Sequence, residues 1–142
     1  MKKLTIMMVL AVTTCTVTNA QKLDAAKVPA AVKAAFAKQY PGITCKWEKE
    51  DGQYEASFKQ DGHSVSATYE ATGSFTESET DIKVAELPAN ILAYVKAHYK
   101  GKTIKEGAKI TKADGTINYE AEVNGKDVIF DAKGNFLKEM KD

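Results

Sequence analysis

The stretch QYEASFKQDGHSVSATYEATGSF, residues 53–75, decides how this chain folds. Tyr54, Ala56 and Phe58 alternate with Glu55 and Ser57, and Val65, Ala67 and Tyr69 alternate with Ser66 and Thr68. Alternation of apolar and polar residues marks a strand with one buried face. Asp61-Gly62 between the two runs is a two-residue hairpin turn, because the favoured type needs positive φ at both positions. Counting outward from it pairs Phe58 with Val65, Ala56 with Ala67 and Tyr54 with Tyr69. Upstream, Asp51-Gly52 pairs Trp47 with Ala56 and Cys45 with Phe58. Downstream, Ala71-Thr72-Gly73 suits a three-residue loop with Gly in the left-handed region, leading into a strand from Phe75. The segment reads as a four-stranded antiparallel meander, and a slip of one residue would turn its apolar side to solvent.

The same pattern is written twice. Val28-Pro29 recurs as Leu87-Pro88, and the offset of 59 maps Val32 to Ile91, Ala35 to Tyr94, Phe36 to Val95 and Tyr40 to Tyr99. These positions share one face of a helix. Pro suits the start of a helix, and Gly42 and Gly101 suit its end. Tyr119-Glu120-Ala121 repeats Tyr54-Glu55-Ala56, and the run Phe130 to Phe136 repeats Tyr69 to Phe75. Reading Asp114-Gly115 and Asn124-Gly125 as two-residue turns pairs Ile110 with Tyr119, Ala108 with Ala121, Tyr119 with Phe130 and Phe130 with Phe136. The expected fold is α+β: two tandem repeats of one helix followed by a four-stranded antiparallel meander, helices on one face. The first unit spans 21–83, the second 84–142, with a linker from Ile82 to Glu86.

The order of elements, with Lys46-Trp47, Tyr54 to Phe58, and the Tyr69 to Phe75 and Phe130 to Phe136 runs, resembles the exported PepSY-like proteins described as similar to the β-lactamase inhibitor protein. The resemblance covers about residues 27 to 140. It implies a non-enzymatic module whose sheet leaves one face free to contact another protein. It brings no catalytic residue with it.

That face is where function is expected. In the first unit it would carry Lys46, Glu48, Glu55, Ser57, Ser66, Thr68, Thr76 and Ser78, a flat surface rich in small hydroxyls. In the second, Glu122 would stand opposite Asp127, with Gly107 on its other side, Glu120 nearby and Lys109 opposite Glu120. Like charges directly opposite are destabilising, by up to ~1 kcal/mol. Lys109, a bound cation or a basic partner would offset this. Ile129 points to the same side and would be exposed. The candidate partner-binding residues are therefore Ser57, Ser66, Thr68, Thr76, Lys109, Glu120, Glu122, Asp127 and Ile129. Glu120, Glu122 and Asp127 form an alternative cation site, which with oxygen ligands alone would suit Ca²⁺ or Mg²⁺.

Composition narrows the rest. The chain has 142 residues, 44% hydrophobic and 27% charged, with a formal charge of +1. All 20 basic residues are Lys, so neither a nucleic-acid footprint nor bidentate Arg recognition is present. His63 and His98 have no second ligand near them in sequence, and no phosphate loop, dinucleotide fingerprint or nucleophile elbow occurs. No enzyme activity and no cofactor are expected. Cys45 alternates with Ile43 and Trp47 and reads as a packed hydrophobe.

Lys2 and Lys3, an apolar run from Leu4 to Val12 and the small residues Thr18 and Ala20 read as a secretory signal peptide over residues 1–20. Cleavage after Ala20 is expected, giving a periplasmic or secreted protein with no stable membrane insertion. A lipid anchor at Cys15 is disfavoured because Thr14 replaces the small residue such signals carry. N-terminal sequencing of the exported protein should begin at Gln21; a lipid-modified Cys15 would overturn this.

Overall fold

The computed structural model describes residues 20–141. The proposed signal sequence up to residue 19 and Cys15 lie outside them. In chain order the elements are β1 (Gln21–Leu23), α1 (Ala30–Gln39), β2 (Lys46–Glu50), β3 (Gln53–Gln60), β4 (His63–Tyr69), β5 (Phe75–Ile82), α2 (Ala89–His98), β6 (Ile104–Lys112), β7 (Ile117–Val123), β8 (Lys126–Asp131) and β9 (Phe136–Lys141). Short 3-10 turns, Ala25–Lys27 and Val84–Glu86, precede the helices. Among the described residues the strands form one nine-stranded antiparallel sheet in chain order. β5 and β6 pair from Glu77 opposite Lys112 to Ile82 opposite Gly107, so the halves share one sheet. β1, three residues long, forms one edge and β9 the other.

Each helix covers its own part of the same face. From α1, Val32 and Phe36 are buried, and Phe36 meets Trp47 and Phe58 edge-on at 5.5 and 5.3 Å. Ala56, Ala67 and Tyr69 complete this core at 0% exposure. From α2, Ile91 and Val95 are buried against Ala121, Val123, Val128 and Phe130. Pro29 and Pro88 cap the helices, where a missing N–H costs nothing. The Tyr69 hydroxyl donates to Gln39 Oε1 at 2.9 Å and ties the end of α1 to the sheet. No helix among the described residues is long and apolar enough to cross a membrane.

The first-half register matches the expected pairs: Trp47 lies opposite Ala56, Phe58 opposite Val65, and Tyr54 opposite Tyr69. β2 begins at Lys46, so Cys45 stands just before it, half-buried against the first core. Asp51, Asp61 and Asn124 have positive φ, as two-residue turns require.

Asp114 does not, and this corrects the register of β6. The Lys112 N–H donates to the Thr116 carbonyl at 2.9 Å, closing a three-residue loop over Ala113, Asp114 and Gly115. The loops closed by Glu70 with Ser74 and by Asp131 with Asn135 have the same bonds. The extra loop residue slides β6 by one. Ile110 lies opposite Asn118, Lys109 opposite Tyr119, Ala108 opposite Glu120, and Gly107 opposite Ala121. Ile110 and Ala108 therefore leave the helix side. Gly107 replaces them beneath Leu87, which a Cβ there would approach to 3.2 Å.

A β-bulge between Thr68 and Tyr69 makes a second correction. A bulge adds one residue to a strand and inverts the phase beyond it. Ser78 consequently lies opposite Ala67 on the helix side, while Glu77 and Glu79 lie opposite Thr68 and Ser66. Thr76 sits in the bulge, its hydroxyl donating to the Thr68 carbonyl at 3.0 Å.

Gly73 and Gly134 seat two of the three-residue loops against the helices. A Cβ on Gly73 would lie 2.7 Å from the Ala31 carbonyl oxygen, whereas one on Gly115 would meet nothing within 4 Å. Both have positive φ, +87° and +83°. Gly115→Ala should therefore cost only the backbone strain of about 1–2 kcal/mol. Gly73→Ala should cost roughly 2–4 kcal/mol, since overpacking adds to strain. Urea unfolding of the two variants checks the order; equal midpoints would show that the loop does not bear on α1.

Candidate functional site

Both hydrophobic cores lie on the helix side, so core packing does not dictate the residues of the opposite face. Cross-strand pairs set out that open face in rows. One row runs Ser57, Ser66, Glu79, Ile110, Asn118 from β3 to β7. A second runs Glu48, Glu55, Thr68, Glu77, Lys112 from β2 to β6. A third runs Asp81, Ala108, Glu120, Ile129, Lys138 from β5 to β9. A fourth contains Glu106, Glu122, Asp127 and Met140.

Of the expected site residues, Ser57, Ser66 and Thr68 stand together here, half-buried. Glu122 does oppose Asp127. Lys109 does not belong to the face: the register shift turns it toward the helix side, between Thr80 and Tyr119. Its expected task falls to Lys105, whose ammonium lies 3.4 Å from Glu122 Oε1. Gly107 also leaves, and Glu106 takes the place beside Glu122. Thr76 is removed by the bulge. Ile129 keeps its side but is buried, at 3% exposure, as are Glu120, Glu122 and Asp127 at 5% each.

The charge of Lys138 in β9 acts on Glu77 in β5, and that of Asp127 in β8 on Glu79 in β5. Ile129 stands between Glu120 and Lys138 in its row.

Sequence reasoning missed Glu77, Glu79, Asp81, Ile110 and Ala108 on this face. Two signals could have found them. Glu77, Glu79 and Asp81 alternate strictly with Thr76, Ser78 and Thr80, and three carboxylates do not fit beneath a helix. Ala113-Asp114-Gly115 repeats the Ala-X-Gly form of Ala71-Thr72-Gly73 and Ala132-Lys133-Gly134, which marks a three-residue loop.

Carboxylates stand opposite one another at several places on this face. Glu48 opposes Glu55, and Glu122 opposes both Glu106 and Asp127. Burial, reinforced by Asp81, Glu55, Glu77 and Asp127, pushes the Glu79 carboxyl up to about 8. Burial also raises Glu77, against the opposing pull of Lys112 and Lys138. Among the described residues no group of three or more His, Cys, Asp or Glu side chains is arranged to hold a metal ion. Other reactive groups are occupied. Burial pushes the Cys45 thiol up to about 11, leaving it protonated at neutral pH. His63 Nδ1 lies 2.8 Å from the Asp81 carbonyl oxygen, and His98 stacks on Tyr94 at 4.1 Å.

The sequence profile of a family described as "Putative beta-lactamase-inhibitor-like, PepSY-like" matches the chain twice, over residues 14–77 and 52–138. No curated protein matches it in sequence. A structure described as a "BLIP-like protein" from Bacteroides fragilis shares 25% identity over 78% of this chain and 84% of its own, with a TM-score of 0.63. One of "putative periplasmic proteins" from Bacteroides eggerthii shares 18% identity over 80% and 88%, at 0.72. A protein from Bacteroides uniformis shares 20% over 78% and 87%, at 0.71. The last two likenesses are likenesses of fold.

A carboxyl whose pKa rises on folding stabilises the protein while protonated, and that stability is lost as pH climbs through the folded value. For Glu79 the window runs from the ordinary 4.5 to about 8. The melting temperature should therefore fall as pH rises across it, and Glu79→Gln should flatten the fall. A wild-type melting temperature that rises toward pH 8 would contradict the assignment.

Proposed function

The chain belongs to the PepSY-like, β-lactamase-inhibitor-like family, and we propose that it is an exported, periplasmic module that holds a protein or peptide partner against the open face of its sheet. It acts by occupying the partner, in an inhibitory or regulatory role, and turns over no substrate. The two units, 21–83 and 84–142, each contribute strands to that face.

The observation that carries this reading is the composition of the face. Carboxylates recur opposite one another across the strands, at Glu48 with Glu55 and at Glu122 with Glu106 and Asp127, with Lys105 against Glu122. Between them lies a floor of small hydroxyls, Ser57, Ser66 and Thr68, low enough for another chain to approach closely. Breaks in local rules concentrate where function lies. The inhibitor-like description of the family supports the reading, and the order of residues 1–20 supports export. The cation-responsive alternative at Glu120, Glu122 and Asp127 has no comparable observation in its favour.

A photo-crosslinking residue placed at Ser66, on the open face, or at Ala34, on the exposed side of α1, tests this in the native envelope. A discrete crosslinked partner should form from position 66 and not from 34. Crosslinking from 34 alone, or from neither, would overturn the reading.

A further inference from the structure

The two halves differ at one point of the strand ladder. In the second half Ile104 pairs with Val123. The offsets of the repeat carry these residues onto Cys45 and Phe58, and there the pairing stops short, at Lys46 opposite Ser57. Phe58, Lys59 and Gln60 still pair on their other side, with Val65, Ser64 and His63. No backbone hydrogen bond among the described residues joins segment 42–45 to β3. Between the two lies an opening of about 520 Å³, within the ~300–1,000 Å³ of ligand sites.

The backbone at this opening is turned toward it. Asp61 and Gly62 have positive φ, so Gln60 and His63 close a two-residue turn as a hydrogen-bonded pair. Such pairs alternate along antiparallel strands, so Lys59 directs its N–H and carbonyl away from β4 and into the opening. The side chains around it are sorted by face. Ile43, Cys45 and Phe58 belong to the first core, on the helix side. Lys46, opposite Ser57, and Lys59, two residues beyond Ser57, stand on the open side, and no acidic residue lines the opening. Lys59 is held there by donating from Nζ to Ser64 Oγ at 2.6 Å. A strand lying in the plane of a sheet sends alternate side chains to opposite faces. Here one face is apolar and the other cationic.

We propose that the opening takes an extended segment of a partner protein in which apolar and acidic residues alternate, added to β3 at Lys59. Its apolar side chains meet Ile43, Cys45 and Phe58, and its carboxylates meet Lys46 and Lys59. This rests on the docking reading above and names the chemistry of what docks. Unpaired strand groups are a template for another chain; main-chain bonds give such an addition its affinity, and the side chains on either face give it specificity.

Calorimetry with three capped pentapeptides tests this: Val-Glu-Val-Glu-Val, its rearrangement Val-Val-Val-Glu-Glu, and the charge-reversed Val-Lys-Val-Lys-Val. The alternating acidic peptide should bind about tenfold more tightly than the rearranged one, a difference of about 1.4 kcal/mol. It should slow hydrogen exchange at the Lys59 amide, and methylating its own amide nitrogens should abolish binding. Lys46→Gln and Lys59→Gln, checked for an intact thermal transition, should each weaken binding several-fold, and Lys96→Gln, on α2, should not. Equal binding of the two acidic peptides, unchanged exchange at Lys59, or indifference to both Lys46→Gln and Lys59→Gln would overturn the proposal. Binding of the lysine peptide, or of none, while Ser66 still crosslinks a partner would overturn it and leave the docking reading standing. Failure of both experiments would remove both.

Discussion

One strand belongs to both halves of this molecule, and the architecture depends on it. Phe75, at the start of β5, packs on the core under α1, and Ile82, at its end, packs on the core under α2. Between them β5 pairs with β6 through six residues. The two cores do not merge, so this seam joins what would otherwise be two small sheets. A small sheet covered by one helix buries little surface for its length, and small domains are marginal for that reason. Sharing a strand removes two free edges at once and makes the open face continuous.

The seam is also packed differently from the strands beneath the helices. Ser78, Thr80, Lys109 and Thr111 lie on its helix side, belong to neither core and are half-buried. Thr and Lys here replace the bulky apolar residues that pack under a helix elsewhere. The sheet has natural twist, and bulges at Thr68/Tyr69, Ile104/Glu106 and Ile129/Phe130 add local bending. Carboxylates from β3, β5 and β8 act on one another across this face.

The helices, the hairpins around Asp51-Gly52 and Asp61-Gly62 and the first-half registers were legible because each rests on local chemistry. A Pro opens the helix, a Gly closes it, and an Asp-Gly pair forces a turn. The two errors have one cause: a single added residue is invisible to a pattern of period two until something else fixes the phase. At Asp114-Gly115 the dipeptide suited either loop length, and Ala113 decided it. In β5 the bulge left Thr76 and Ser78 plausible on either face, and only the carboxylates alternating with them carried the phase. The candidate site inherits both slips. Alternation alone places Ser57, Ser66 and Thr68 on the open side, where the register has them, whereas Lys109 and Thr76 do not lie there. Burial of Ile129, at 3% exposure between Glu120 and Lys138, does not follow from the alternation pattern of its own strand.

The two outer strands bear on how the protein behaves at high concentration. An unpaired strand edge is a template for adding another chain, and proteins that present one risk polymerising. Here the N-terminal edge is only three residues long. The C-terminal edge exposes Phe136 and Leu137, at 42% and 50%, but its later part carries Lys138 and Lys141. A second copy aligning antiparallel along β9 would bring lysines of both chains close together. A sheet that grows so readily within the chain is thereby discouraged from continuing into the next molecule.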